Sequence, residues 1–287
     1  KKLRQPKSIS MAAVNFNLIA LEPLIALWSI WGITLSWEQA ILPLGGILMG
    51  AAGLIIGLIT APLAGISGKK RSTYIISSAL ANHGITMGGV FCYLLMGERG
   101  LALSFIFITY FMPFVFIVIF PYARRAGSRA AGVTLSPGEF LFDKRNMPLV
   151  GFLAALLLRG AGIPRPEIHF PVGVLIMASV ALYYFSMGIT VTINKPGHYS
   201  RALIVFSISK FIVMPVIIWG AVSMLGLPGD IGKILQIQAI MPAAIYSVLT
   251  ALLFDLDTEL ASTLFVYNTV IFAVLVAPPI FLTTGII

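Results

Sequence analysis

At 287 residues, with 59% hydrophobic and only 10% charged, the chain lacks the coat of roughly one-quarter charged residues that a soluble domain carries. A mean hydropathy of +0.99 identifies a polytopic membrane protein, and the net charge of +9 reads as loop charge that fixes orientation, not as a nucleic-acid footprint. The single cysteine, Cys92, lies in an apolar stretch, which excludes a disulfide framework and a thiolate metal site and leaves a small buried hydrophobe.

The chain opens on KKLRQPK, basic but not followed by the short apolar core and small-residue cleavage site of a signal peptide. A membrane helix needs about 20 apolar residues. Apolar runs cut by Gly, Pro and charge predict nine spans, at 11–35, 40–64, 73–96, 100–122, 147–163, 169–193, 202–226, 231–254 and 259–284. With residues 1–10 cytoplasmic, the segments on that side hold Lys1, Lys2, Arg4, Lys7, Lys69, Lys70, Arg71, Arg124, Arg125, Arg129, Lys144, Arg145, Lys195 and Arg201. The other side holds Arg99, Arg159, Arg165 and Lys233. That asymmetry is the positive-inside bias, with the C-terminus outside. Lys210 alone among the basic residues falls within a span.

The longest hydrophilic segment divides the chain into residues 1–122, a basic cytoplasmic loop at 123–146, and residues 147–287. The halves share features. LWSIWGITLSW (27–37) and LYYFSMGITVTIN (182–194) both carry Gly-Ile-Thr, and ERGLALSFIF (98–107) matches DTELASTLFV (257–266) at a similar offset. Each matched pair runs in opposite directions through the bilayer, the pattern of an inverted repeat and of secondary transporters. The leading span of the second half, 147–163, has no mate in the first. A five-plus-five protein without its first helix explains this; a natural nine-span chain is the alternative.

Two spans carry interruptions. The third, IISSALANHGITMGGVFCYLL, holds Asn82, His83 and Gly84, then Gly88 and Gly89, which make a poor continuous helix. The eighth, KILQIQAIMPAAIYSVLTALLF, breaks at Pro242, which frees the carbonyl one turn earlier, near Gln238. Interruptions at corresponding places in both halves point to a transport site. Half-helix N-termini there carry partial positive charge and suit an anion. A packing kink is the alternative, and Pro23, Pro113 and Pro215 read as kinks.

Polar side chains within spans extend the candidate site. Lys210, about nine residues into its span, is costly there unless paired or facing water, so it is a substrate-anion partner or a carboxylate's counter-ion; snorkelling to the interface is the alternative. Glu22, the one carboxylate deep in a span, is a proton carrier, a partner for Lys210, or part of a kink at Pro23. His83 suits proton coupling or is a hydrogen-bonded structural group. Asn82 caps a half-helix or coordinates substrate or sodium. Gln238, Tyr246, Ser247, Asn268, Gln236 and Thr269 supply donors and oxygens near the second break, although membrane Ser and Thr often bond their own helix. Asn15 and Asn17 read as interfacial. Asp255, Asp257 and Glu259 read as a solvated helix start. No Cys/His/carboxylate spacing suits a transition metal, and SGKKRS (67–72) is a basic turn without the full phosphate-loop pattern.

QAIMPAAIYSVLTALLFDLDTELASTLFVYNTVIFAVLVAPPI resembles the C-terminal signature of the auxin efflux carrier family of permeases. RNMPLVGFLAALLLRGAGIPRPEIHFPVGVLIMASVALYYFSMGIT is similar to that family's sixth and seventh helices. ALANHGITMGG resembles its first crossover, with Gly89 where the family carries a proline. The likeness spans most of the chain, and bile-acid and arsenite transporters share the overall fold. It implies an all-α fold of two inverted five-helix repeats with broken helices crossing at mid-membrane. It also implies small organic anions as substrates and a homodimer as the candidate assembly.

The combined expectation is a secondary active transporter, not an enzyme, that moves a small carboxylate by alternating access. Its energy source is an H+ gradient, through Glu22 or His83, or a Na+ gradient, with sodium near Asn82 and Gln238. No cofactor, resident metal or nucleic acid is expected. The expected partners are the anion and the lipid bilayer, in a bacterial inner membrane. A bile-acid-type sodium symporter, a passive channel and a receptor-like membrane module remain alternatives.

Overall fold

The computed structural model describes residues 6–127, 146–190, 196–227 and 229–284. Lys1, Lys2, Arg4, Arg129, Lys144, Arg145 and Lys195, and most of the loop expected at 123–146, lie outside the described residues.

The described chain is helical, with one isolated antiparallel β-bridge and no named strand. In order, α1 is Pro6–Phe16, α2 Glu22–Trp31, α3 Ile41–Thr60, α4 Gly68–Ala79 and α5 Val90–Ile108. Then follow α6 Phe111–Phe114, α7 Phe120–Ala126, α8 Met147–Gly160 and α9 Val172–Thr190. The chain ends with α10 Ser200–Ile208, α11 Met214–Met224, α12 Gly229–Ala239, α13 Ile245–Leu253, α14 Thr258–Ile271 and α15 Ala277–Thr284. Such structure follows from the solvent: in hydrocarbon, backbone groups must be satisfied within the chain.

Among the described residues, six helical runs are long and apolar enough to cross a membrane, at 8–31, 37–60, 85–126, 172–189, 197–224 and 258–282. The nine expected spans differ from these six for local reasons. The run Ile85–Ala126 turns on Gly97, whose φ of 64° and ψ of −155° no helix contains, so it joins the second half of the expected third span to the fourth. The expected third and eighth spans are each cut into halves too short to cross alone. The fifth is the apolar but short α8.

Four wide, π-type turns interrupt these helices, each ending two residues before a proline: Asn17–Leu21 before Pro23, Val115–Ile119 before Pro121, Ser209–Val213 before Pro215 and Phe272–Val276 before Pro278. Proline donates no hydrogen bond and its ring crowds the carbonyl four residues back. The ladder responds by widening, and the residue before each proline donates five residues back: Glu22 to Asn17, Phe120 to Val115, Met214 to Ser209 and Ala277 to Phe272. Pro23 and Pro215 thus change helical register as well as direction. A fifth wide turn, Ile85–Gly89, has no proline and follows the first break.

Packing crosses the sequence halves. α2 lies along α8 and α1 along α9, whereas α3, α4 and α5 pack with α12, α14 and their neighbours. In α3 a stripe of glycines allows close approach, which drives association where lipid removes the hydrophobic force between helices. A Cβ on Gly46 would strike the Tyr110 ring, and one on Gly53 would strike the backbone of Ser78 and Ala79. α3 thereby presses against the end of α4, where the chain breaks.

Candidate functional site at the crossing of two broken helices

α4 ends because Leu80 is extended (φ −98°, ψ 123°), and helical geometry resumes only after Gly84. α12 ends before Met241, where the following proline disfavours the helical region, and Ala244 is extended (φ −80°, ψ 142°). The two extended segments run antiparallel and pair as a miniature ladder. Ala81 faces Ala243, Asn82 N donates to Pro242 O at 2.8 Å, and Ala244 N donates to Leu80 O at 3.2 Å. Each break thus satisfies the other's backbone, replacing what would be several unpaired groups at membrane depth.

The remaining backbone groups at the breaks find side chains. Gln238 O, the carbonyl that Pro242 leaves free, accepts from Met241 N at 3.2 Å and lies 3.1 Å from His83 Nε2. His83 Nδ1 lies 2.7 Å from the Tyr110 hydroxyl. With Nε2 donating to the carbonyl and Nδ1 accepting from Tyr110, both nitrogens of a neutral imidazole are used. Ala243 N donates to Asn268 Oδ1 at 2.9 Å, and Asn268 Nδ2 donates to Ser207 Oγ at 3.3 Å. Thr86 Oγ1 donates to Asn82 Oδ1 at 2.6 Å. Gly88 N donates to Asn82 O at 3.0 Å, and Gly89 N to Gly84 O at 2.9 Å.

Lys210 enters this arrangement from the wide turn Ser209–Val213. It is only 4% exposed, and its Nζ donates to Leu80 O at 3.2 Å. The Phe206 ring lies 5.9 Å from the ammonium. Among the described residues no carboxylate pairs with it. A buried ammonium held by one carbonyl and a ring face retains most of its desolvation cost, so an anion placed beside it gains what water no longer supplies. His83, Lys210, Gln238, Ser78, Met49 and Met214 surround a cavity of about 10 Å³, room for about one water molecule.

The expected site residues therefore separate. Asn82, His83, Gly84, Gly88, Gly89, Lys210, Gln238, Pro242 and Asn268 all meet at the crossing. Gly88 is required there by contact, because a Cβ would run into the Gln238 side chain and His83 O. Ser247 is buried beside the crossing, but its hydroxyl returns to its own helix, donating to Ala244 O at 2.8 Å. The Tyr246 ring packs between Phe111 and Phe120, with centroids 5.5 and 6.4 Å away. Glu22 does not pair with Lys210; its carboxyl bonds Tyr183 on α9. Asn17, expected at the interface, is fully buried against α9.

Of the oxygens that could hold sodium, Asn82 Oδ1, Asn82 O, Gln238 O, Pro242 O and Leu80 O are already engaged. Gln238 Oε1 is buried without a partner, while its Nε2 reaches Cys92 Sγ at 3.6 Å. Sequence reasoning did not assign Tyr110, Thr86 or the Leu80 carbonyl. Aromatic and Thr residues in an apolar helix carry no signal, and a carbonyl's role depends on which break it faces. Cys92 is buried as expected, with the added contact to Gln238.

No curated protein matches the chain. Residues 141–280 match a family model described as a membrane transport protein, that of the auxin efflux carrier family. The family is one of transporters, not of enzymes. That segment, which contains Lys210, the whole of the second break and Asn268, is similar to the membrane transport proteins of the auxin efflux carrier family.

Proposed function

We propose that the protein is a secondary carrier for a small organic anion, a carboxylate, which binds at the helix crossing. The observation that carries this reading is the Lys210 ammonium, buried at the break on Leu80 O without a carboxylate partner among the described residues. The first turns of the resumed half-helices, at 85–89 and from Ile245, add partial positive charge on the same centre. Electrostatics there favour an anion over a coupling cation. Lys210 sits on the carbonyl that a sodium ion would use, and most nearby oxygens are engaged. The enclosed cavity of about 10 Å³ fits a closed carrier awaiting the separation of its walls, in alternating access. It does not fit an open channel.

The antiparallel pairing of Ala81 with Ala243 supports the inverted-repeat reading of the two halves. The Lys69–Asp255 ion pair and the Thr73–Asp257 bond bring 68–73 and 254–257 together. Arg99–Asp230 and Arg165–Glu98 join a different set of loops. These groupings support a shared face for the lysine-rich turn at 69–71 and the 254–257 loop, which on the positive-inside bias is read as cytoplasmic.

The test is counterflow in proteoliposomes, using a panel of labelled mono- and dicarboxylates with and without sodium and a pH gradient. Saturable exchange by the wild type, lost in Pro242→Ala, is the expected result. The added N–H in that variant competes for Gln238 O and favours a continuous helix. Failure of every carboxylate to exchange through folded wild-type protein overturns the reading.

A further inference from the structure

A second polar group lies apart from the crossing, on the seam between the first helical run and α9. Asn17 is fully buried and donates through Nδ2 to Ser179 O at 2.8 Å. Asn17 Oδ1 and Ser179 Oγ are buried without hydrogen-bond partners. Glu22, 8% exposed, bonds Tyr183. Further along the seam the Ser10 and Ser186 hydroxyls meet. Register explains the convergence. The wide turn forced by Pro23 sets Asn17 and Glu22 one turn apart, with Glu22 N donating to Asn17 O, and Ser179 and Tyr183 stand four apart on α9.

The charges around this seam are committed elsewhere. On α8, Arg159 donates to Trp31 O at 3.0 Å, and from the loop before α9, Arg165 bonds Glu98 at 2.9 Å and Trp28 O at 3.5 Å. Trp28 and Trp31 lie six and nine residues beyond Glu22, roughly 9 and 13 Å along the helix. On α5, Tyr93 and Glu98 line the cavity beside Trp28, and Cys92 faces Gln238. Tyr184, next to Tyr183, turns to Thr86 O and Met87 Sδ. Lys210, expected as a partner, is at the crossing.

An ionised carboxylate at membrane depth with a hydroxyl as its charge partner is costly. The seam nevertheless offers candidate partners for both forms of Glu22. The carboxylate accepts from the Tyr183 hydroxyl. The carboxylic acid gains an O–H that needs an acceptor, and Asn17 Oδ1 and Ser179 Oγ are acceptors without donors. We propose that Glu22 and Tyr183, with Asn17 and Ser179 around them, form a proton-binding site separate from the substrate crossing. One proton adds to one Glu22 oxygen and leaves from it again, with no other bond made or broken. His83 is the poorer carrier because both its nitrogens are engaged beside the Lys210 ammonium. That the proton drives transport rests on the carrier reading above; the site itself does not.

Infrared difference spectroscopy of the reconstituted wild type, titrated from alkaline to acid, reads the site without any substrate. The expected result is a protonated-carboxyl band that disappears in Glu22→Gln and shifts in Tyr183→Phe, which keeps the ring and loses the hydroxyl. On the same vesicles, the ratio of proton-driven accumulation to exchange falls at least tenfold in Glu22→Gln. A band that survives in folded Glu22→Gln, or one that answers to sodium instead of acid, overturns the proposal. Should no carboxylate exchange in the wild type, the carrier reading fails while the infrared band still decides the proton site.

Discussion

Replacing Lys210 by Met removes the ammonium and keeps most of the apolar stem. A carboxylate about 4 Å from that ammonium, at an effective dielectric of about 20, gains about 4 kcal/mol. Truncating one partner of a buried charge pair costs about 2–5 kcal/mol. At about 1.4 kcal/mol per factor of ten, the dissociation constant of a transported carboxylate should rise by about 30-fold to about 4,000-fold. The empty protein should respond in the opposite direction. Lys210 Nζ is buried with Leu80 O as its one hydrogen-bond acceptor, and that carbonyl keeps its bond from Ala244 N. Removing the charge therefore relieves more desolvation than it loses in hydrogen bonding. The melting temperature of the unliganded variant should rise by about 2 °C or more, while carboxylate no longer raises it further. Binding of a labelled dicarboxylate in detergent, paired with thermal unfolding at matched salt, measures both. Affinity within about threefold of wild type, or a melting temperature that falls, would refute the placement of the anion beside Lys210.

Two further expectations concern how the crossing is held. Gly46→Ala places a Cβ against the Tyr110 ring; overpacking of this kind costs about 1–3 kcal/mol and displaces the hydroxyl that His83 uses. Melting and exchange should both fall, whereas Gly220→Ala, in open space, should not lower melting, since alanine is the better helix former, and so serves as the control. Asn268→Ala strands the buried Ala243 N–H, at about 1–3 kcal/mol. Its signature is a lower melting temperature with faster amide exchange at the second break than at α3, and uniform exchange would count against the capping role.

How much of this was legible in the sequence depended on whether a feature was local. The Asn82-His83-Gly84 cluster and Pro242 announced the two breaks, because glycine entropy and the missing proline donor act on their own helix. Pro242 also indicated which carbonyl would be freed, and Gln238 O is that carbonyl. The depth of Lys210 marked it as a candidate, since a charge in hydrocarbon needs a reason. The same logic paired Glu22 with Lys210 and failed, because opposite charge says nothing about which helices meet.

By itself the sequence determined a membrane-embedded, helical chain with two interrupted segments and a short set of costly polar groups. These follow from hydropathy, backbone chemistry and the price of burying charge. Only the tertiary structure decided that Leu80–Gly84 and Met241–Ala244 pair with each other, that Tyr110 and Asn268 complete them, and that Glu22 belongs to α9. Those facts rest on helix register and on contacts between residues far apart in the chain. A wide turn before Pro23 or Pro215 rotates every side chain on one side of it, and no count of apolar residues reports that rotation.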